Sequence, residues 1–204
     1  MTQKRQHILA RPCWVFDLDG TLTVPVHDFA AIKAELGIPA GDDILAHLAE
    51  QEQERADWMQ QQLARIENSL ADKTEAASGA TPLIRLLAER GARLGILTRN
   101  TRETALSTLD KIGLAGHFHP AAIIGREESL PKPDPEGIQR LAVLWGALPE
   151  QMVMVGDYLY DLQCGRAAGA ATIHVDPAGQ FRWPELADLC VRSLADLAER
   201  LAAR

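Results

Sequence analysis

The sequence predicts an α/β fold, a Rossmann-like parallel sheet flanked by helices, with a small all-helical segment inserted after the first strand. Short apolar runs that end in polar residues or glycine recur along the chain, as buried strands of a parallel sheet do. Amphipathic helical patterns lie between these runs, and such alternation is typical of layered α/β folds with right-handed crossovers. Only residues 24–80 lack a convincing strand, which predicts the helical segment.

Five apolar runs are expected to form the sheet because each has the length of a buried strand and ends in polar residues or glycine. In chain order they are CWVFDLDG, ARLGILTRN, AAIIG, QMVMVGD and ATIHVD, at residues 13–20, 92–100, 121–125, 151–157 and 171–176.

Helical patterns follow most of the predicted strands. Thr81 is expected to be the N-cap of a helix with Pro82 at its first position, and Gly91 should end that helix. Asp134 and Pro135 repeat this start before GIQRLAVLWG, which also ends in glycine. The remaining core helices are expected at residues 102–113, 160–170 and 194–203.

The predicted insertion, residues 24–80, divides the core into residues 1–23 and 81–204. It reads as two short helices, FAAIKAELG and DDILAHLAEQ, followed by a long one at about residues 53–76. Apolar residues recur in the long helix at three- and four-residue steps, so one face should pack. These residues are Met59, Leu63, Ile66 and Leu70.

Composition excludes several classes of function. The chain has 204 residues, and 21 basic against 28 acidic residues give a formal net charge of -7. This charge repels polyanions, and no basic run offsets it, so we expect no nucleic-acid partner. The three cysteines show no CxxC spacing, which favours a reducing compartment over a disulfide framework or zinc site. No run approaches the roughly 18 apolar residues of a membrane span, so a cytoplasmic protein is expected.

Polar residues follow four of the predicted strands, directly after three of them and after a short linker in the case of the third. In an open parallel sheet, ligands bind at the carboxyl ends of the strands, so these residues should share one site. They are Asp17, Asp19, Gly20 and Thr21 after the first strand, Thr98, Arg99 and Asn100 after the second, Lys132 beyond the third, and Gly156, Asp157 and Asp161 after the fourth.

Asp17 and Asp19 are like charges at the end of a buried strand, so they need a cation or a network of donors. Carboxylate oxygens of Asp17 and Asp157, with the backbone carbonyl of Asp19, could hold Mg²⁺ and leave its other positions for water and phosphate. An ionised Asp17 facing a phosphoryl group is a nucleophile, and its attack would give an aspartyl-phosphate.

The other residues complete this chemistry. Thr98 and Lys132 are expected to hold phosphate oxygens, with the lysine offsetting developing charge. Backbone N–H groups around Leu18 and Asn100 would add donors. Asp19 is the natural general acid for the departing alcohol and the base for the attacking water.

Four more residues are considered as supports of the catalytic groups or as substrate contacts. Asp161 is expected to orient Lys132 or a metal-bound water, and Gly156 to allow close backbone approach. Gly20 is grouped with the substrate-binding positions. Arg99 is left open between phosphate or substrate contact and a solvated loop cation.

These residues occur as DLDGT from Asp17, Thr98 after LGIL, Lys132 in PKPDPE, and GDYLYD. In this order the motifs resemble those of the haloacid dehalogenase superfamily, over roughly residues 15–175, and the nearest branch is similar to phosphoglycolate-phosphatase-like hydrolases. The resemblance implies that the insertion is a cap domain and that the enzyme uses Mg²⁺ and an aspartyl-phosphate. The short cap and Arg99 leave the substrate open beyond a small phosphorylated metabolite.

Other functions remain as alternatives. A phosphorylation-switched signalling domain also combines acidic residues, Mg²⁺, a hydroxyl and a lysine, but its acidic pair and phosphorylated aspartate lie on different strands. A phosphomutase acting on a sugar phosphate would need a stable phospho-enzyme, and a dehalogenase would not need Mg²⁺. A non-catalytic binding module is disfavoured because all the catalytic side chains are present.

Overall fold

A six-stranded sheet forms the centre of the computed structural model, which describes residues 7–203. The strand order is β3-β2-β1-β4-β5-β6, and every pairing is parallel, which confirms the α/β class. The strands are β1 (Cys13–Phe16), β2 (Arg93–Leu97), β3 (Ile123–Ile124), β4 (Met152–Gly156), β5 (Ala171–Val175) and β6 (Leu189–Val191).

Eight α-helices lie in the described part of the chain. They are α1 (Phe29–Leu36), α2 (Ile44–Ala49), α3 (Gln53–Ala71), α4 (Ala80–Glu89), α5 (Arg102–Lys111), α6 (Glu136–Trp145), α7 (Leu159–Ala168) and α8 (Leu194–Ala202). Among residues 7–203, no helix has the length and apolar character that crossing a membrane requires.

The central strand β1 brings the predicted site together. It lies between β2 and β4, so Phe16 is in register with Ile96 on one side and with Val155 on the other. Since the strands are parallel, the residues that follow these three positions emerge at the same edge of the sheet.

Both faces of the sheet are covered, as a parallel sheet requires. Trp14 and Phe16 of β1 point into a cluster with side chains of α4, α5 and α8. Cys13 and Val15 point to the opposite face, into a cluster with side chains of α6 and α7. All four side chains are buried, so the strand that carries the first aspartates is held rigidly from both sides.

Residues 24–80, here called the helical insertion, contain α1, α2 and α3. Their apolar side chains form a cluster of their own, in which Met59 and Leu63 are buried and Ile66 and Leu70 are partly buried, confirming the predicted face of α3. The long helix is shorter than expected, because its chain turns at Ala71 and then pairs with the start of the insertion. The separate apolar cluster supports the prediction that residues 24–80 form a domain, which stays a prediction.

The two ends of the helical insertion run side by side. Thr23 and Ala76 form an antiparallel bridge, and the N–H of Val24 donates to the carbonyl oxygen of Glu75 at 2.9 Å. The N–H of Ala77 donates to the carbonyl oxygen of Leu22, also at 2.9 Å. The insertion is therefore joined to the core by two adjacent chain segments.

One strand was not predicted, and the predicted starts of two helices were wrong. The strand β6 was missed: it has three residues and lies at the edge of the sheet beside β5. Helix α4 begins one residue before Thr81, with Gly79 at the N-cap, because the left-handed backbone of Gly79 fits closely against α8. Helix α6 has Pro135 at its N-cap, although Asp134 Oδ1 accepts the Glu136 N–H at 2.9 Å.

Gly79→Ala should destabilise the protein more than Gly91→Ala. Both glycines have a positive φ, +84° and +73°, so alanine brings the same backbone strain to each. A Cβ at Gly79 would lie 2.0 Å from the backbone N of Ala195, whereas a Cβ at Gly91 meets nothing within 4 Å. We expect the Gly79 variant to lose roughly 1–3 kcal/mol more free energy of unfolding, measured in urea. Equal losses would show that α4 and α8 can separate freely.

Candidate active site

The buried ammonium of Lys132 lies between two carboxylates. Its Nζ donates to Asp17 Oδ1 and, at 2.6 Å, to Asp161 Oδ1. The Asp17 backbone N–H donates to the Val155 carbonyl oxygen at 2.9 Å, which ties the end of β1 to β4. Lys132 is only 3% exposed, so this group of three charges is shielded from bulk water. Asp161 thus contacts Lys132, one of the two partners that the sequence predicted for it.

Burial sets the charge balance of this group. It raises the pKa of Asp17 well above its ordinary value, and Lys132 opposes the rise while the charges of Asp161 and Asp157 add to it. Burial alone would lower the pKa of Lys132, but the carboxylates of Asp161 and Asp17 raise it above its ordinary value. Lys132 therefore stays charged at neutral pH, and a further cation would favour the ionised form of Asp17.

Asp157 is fixed by the turn that follows β1. Thr21 Oγ1 donates to Asp157 Oδ1 at 3.1 Å. Gly20 has a φ of +83° and lies so close that a Cβ would be 2.7 Å from Asp157 Oδ2. The positive φ and the close approach to Asp157 explain why position 20 requires glycine. Burial, with the charge of Asp161, raises the pKa of Asp157 to about 7.

The carboxylates of the site fit a hard divalent cation. Ligand atoms of Asp17, Asp157 and Asp161 all lie within 4.8 Å of one another. Oxygen donors of this kind are those that Mg²⁺ prefers. Asp161 already accepts from Lys132 and, at 3.0 Å, from the Tyr158 N–H. Its engagement leaves Asp17 and Asp157 as the side chains suited to hold the ion.

Asp19 is held by a side chain from the neighbouring loop. Asn100 Nδ2 donates to Asp19 Oδ2 at 2.7 Å, and His27 Nδ1 lies 4.0 Å from Asp19 Oδ1. Burial raises the pKa of Asp19, while His27 and Lys132 oppose the rise. A raised pKa suits a group that must donate a proton near neutral pH. The contribution of His27 was missed, since a single histidine in VPVHD gives no sequence signal.

The loop after β2 places Thr98 at the expected edge. Thr98 is 2% exposed, and its N–H donates to the Ile124 carbonyl oxygen at 3.0 Å. Its Oγ1 accepts the Asn100 N–H at 3.1 Å. The Asn100 N–H, which the sequence predicted as a donor to phosphate, is therefore bonded to Thr98 in this structure. The Asn100 side chain contacts Asp19. Leu18 is fully buried and its carbonyl oxygen accepts from Leu22 and Thr23 in the turn.

Arg99 connects the core to the helical insertion. Its Nη2 donates to Asp43 Oδ1 at 2.6 Å, and its guanidinium lies 4.7 Å from the centroid of the Tyr160 ring. Asp43 is the N-cap of α2 and also accepts from the Ala46 N–H. Burial would raise the pKa of Asp43, but its bonds to Arg99 and Ala46 lower it. The contact partners Asp43 and Tyr160 were missed because a capping aspartate needs no tertiary partner.

Comparison with known proteins agrees with this geometry. A family model for haloacid dehalogenase-like hydrolases matches residues 13–169. A phosphoglycolate phosphatase from Chromobacterium violaceum is 30% identical over 89% of this chain and 92% of its own length. A haloacid dehalogenase-like hydrolase domain-containing protein from Arabidopsis thaliana is 34% identical over 82% of this chain and 71% of its own length.

A solved structure has the same fold. The crystal structure of a hydrolase from Pseudomonas syringae covers 95% of this chain and 99% of its own, with a TM-score of 0.79 and 24% sequence identity. The family model covers most of the strands and all four motifs named above, and the expected family is confirmed. The chain therefore belongs to the haloacid dehalogenase-like hydrolases.

Proposed function

We propose that this protein is a Mg²⁺-dependent phosphatase that hydrolyses a small phosphomonoester metabolite through an aspartyl-phosphate on Asp17. The observation that carries the proposal is the buried Lys132, which contacts Asp17 and Asp161 beside Asp157. The hydrolase family and the phosphoglycolate phosphatase among its relatives support the phosphatase activity. Similarity to that relative makes phosphoglycolate the first substrate to test.

In the first step the Asp17 carboxylate attacks phosphorus, and the bond from phosphorus to the ester oxygen breaks. Asp19 gives its proton to that oxygen, so the alcohol leaves neutral. Lys132 and Thr98 bind the phosphoryl oxygens and offset the charge that develops on them. Bound Mg²⁺, held by Asp17, the Asp19 carbonyl oxygen and Asp157, would neutralise phosphate charge and relieve repulsion among the carboxylates.

In the second step water attacks the phosphorus of the aspartyl-phosphate. Asp19, now ionised, takes a proton from that water, and the bond between phosphorus and the Asp17 oxygen breaks. Asp17 is regenerated as a carboxylate, and inorganic phosphate leaves. Asn100 holds Asp19 in place for both proton transfers.

The helical insertion would act as a cap that selects the leaving group and excludes water. Its support is the contact of Asp43 with Arg99, one residue beyond Thr98. Arg99 would then link cap and core, while its contact with phosphate or substrate stays a prediction. The cytoplasmic location and the absence of a nucleic-acid partner remain predictions from composition.

Turnover should require the divalent ion. We expect purified protein with Mg²⁺ to release phosphate from 2-phosphoglycolate or another small monoester in a substrate panel, and excess chelator to stop that release. Added Mg²⁺ should restore it. Activity that persists unchanged in chelator would contradict the metal assignment and favour a dehalogenase.

The intermediate gives the sharpest test of the mechanism. Protein mixed briefly with a ³²P-labelled substrate and quenched in acid should carry label on Asp17, which peptide mass spectrometry would locate. The label should disappear within one turnover time. A label that persists for minutes would indicate a signalling domain or a phosphomutase, and a label on another residue would overturn the mechanism.

A further inference from the structure

A buried ion pair joins the helical insertion to the loop beside the candidate acid. Arg126 follows β3, and its Nη1 donates to Glu67 Oε1 and Oε2 at 2.7 and 2.8 Å. Glu67 lies on α3, 59 residues away in the sequence. The two side chains are only 10% and 6% exposed. The pair is therefore as buried as the site itself, although none of the four family motifs includes either residue.

Arg126 also holds the backbone on both sides of Asn100. Its Nη1 donates to the Arg99 carbonyl oxygen at 3.1 Å, and its backbone N–H donates to the Asn100 carbonyl oxygen at 2.9 Å. These two carbonyl groups belong to the peptides that precede and follow the Asn100 Cα. Fixing both peptides fixes the direction of the Asn100 side chain, whose Nδ2 donates to Asp19.

Stability alone gives a poor account of this pair. Burial raises the pKa of Glu67 to about 7, although Arg126 opposes the rise, so desolvation of the carboxylate is costly here. Buried ion pairs are often no more stabilising than apolar side chains of the same volume. What apolar side chains could not provide is a donor to the Arg99 carbonyl oxygen.

We propose that Arg126 is a positioning residue, held by Glu67 of the helical insertion, that orients Asn100 and through it the proton-donating carboxylate of Asp19. This inference rests on the proposed phosphatase function. It means that protonation of the leaving group depends on where α3 lies against the core.

The signature of this role is a dependence on the leaving group. An alkoxide needs a proton to leave, whereas p-nitrophenolate leaves without one, so loss of general-acid catalysis affects alkyl phosphates more. The ratio kcat/KM reports the steps up to departure of the leaving group, before Asp19 acts as a base. A purely structural defect would lower kcat/KM for both substrates by the same factor.

The test uses the double variant Glu67→Gln/Arg126→Gln, which leaves no unpaired buried charge. We expect kcat/KM for 2-phosphoglycolate to fall at least about 10-fold, and for p-nitrophenyl phosphate less than about 3-fold. Asp19→Asn sets the scale for complete loss of the acid.

Asn68→Ala is the matched control. Asn68 is the neighbour of Glu67 on α3, and its Oδ1 accepts from Thr104 Oγ1 of α5 at 2.8 Å. This substitution removes a contact between the same helix and the core and leaves in place the bonds of Arg126 to the Arg99 and Asn100 carbonyl oxygens. We expect both substrates to keep kcat/KM within about 2-fold.

Arg126→Lys should restore much of the lost activity. Nη1 alone contacts Glu67 and the Arg99 carbonyl oxygen, and an ammonium carries three protons for the same three acceptors. We expect kcat/KM for 2-phosphoglycolate within about 3-fold of wild type. If the double variant does not fold, as judged by circular dichroism, Glu67→Gln alone should show the same selectivity for the alkyl substrate.

Equal losses on both substrates, or no loss on either, would overturn the inference while leaving the proposed function intact. Failure of the wild-type protein to hydrolyse either substrate would instead overturn the proposed function and the inference with it. The two failures are distinguishable because the first appears only in the variants.

Discussion

Asp17→Asn is expected to abolish turnover, leaving less than about a hundredth of the wild-type rate. An amide is too weak a nucleophile to attack phosphorus, and its neutral oxygen is a weaker ligand for a divalent ion than a carboxylate oxygen. The measurement is phosphate release from 2-phosphoglycolate and p-nitrophenyl phosphate in Mg²⁺. Neither substrate should rescue the variant, because the step that it lacks precedes every other.

The loss should occur without loss of the fold. Burial and nearby carboxylates already oppose ionisation of Asp17, and Lys132 keeps Asp161 as its partner in the variant. We therefore expect a thermal midpoint no lower than that of the wild type. Asp196→Asn is a matched control: Asp196 Oδ2 accepts from the Arg192 N–H near α8, and an amide oxygen can do the same. Residual activity of Asp17→Asn above about a hundredth would contradict nucleophilic catalysis.

Lys132→Met should cause the largest loss of stability. Methionine removes the ammonium that Asp17 and Asp161 share and leaves two buried carboxylates without their cation. Breaking a buried pair in this way costs about 3–5 kcal/mol. Urea unfolding in the absence of divalent ions should show a loss of this size. Arg140→Met is the control, because Arg140 pairs with Glu136 on the surface, and it should leave the midpoint nearly unchanged.

The deficit of Lys132→Met should grow as pH rises. Without the lysine, the native pKa of Asp17 rises further above its value in the unfolded chain, about 3.9. Above that pH the native state then binds more protons than the unfolded state, so the free energy of unfolding falls with increasing pH. We expect a smaller deficit at about pH 5 than at about pH 8. A deficit independent of pH would mean that packing, and not charge, explains the loss.

The predicted parts of the fold are those with strong local signals. Five strands were found because their side chains are buried on both faces, which produces continuous apolar runs. The edge strand β6 was not predicted because its three residues are too few to show a periodicity and Cys190 is partly exposed. The start of α4 at Gly79 follows from contact with α8, which the local pattern of Thr81 and Pro82 does not report.

The residues of the site were predictable because the ends of parallel strands meet at one edge. Their partners were not. The pair of Glu67 with Arg126 joins distant segments, and a charged residue on an amphipathic helix is usually solvated. The same limit applies to the bond between Arg99 and Asp43. Local patterns predicted the polar residues at the strand ends. The contacts between the insertion and the core join distant segments and were seen only in the three-dimensional structure.

The two chain segments that the bridge of Thr23 and Ala76 joins give the intervening stretch a single pair of attachment points. Under the proposed function, a transplanted sequence of another length that joined at these two points would alter which alcohol is accepted. Arg126 sets a condition on any such graft: the incoming helix must bring an acceptor to the place of Glu67. Substrate range could then diversify, under the proposed function, within a single contiguous stretch that keeps one anchoring carboxylate.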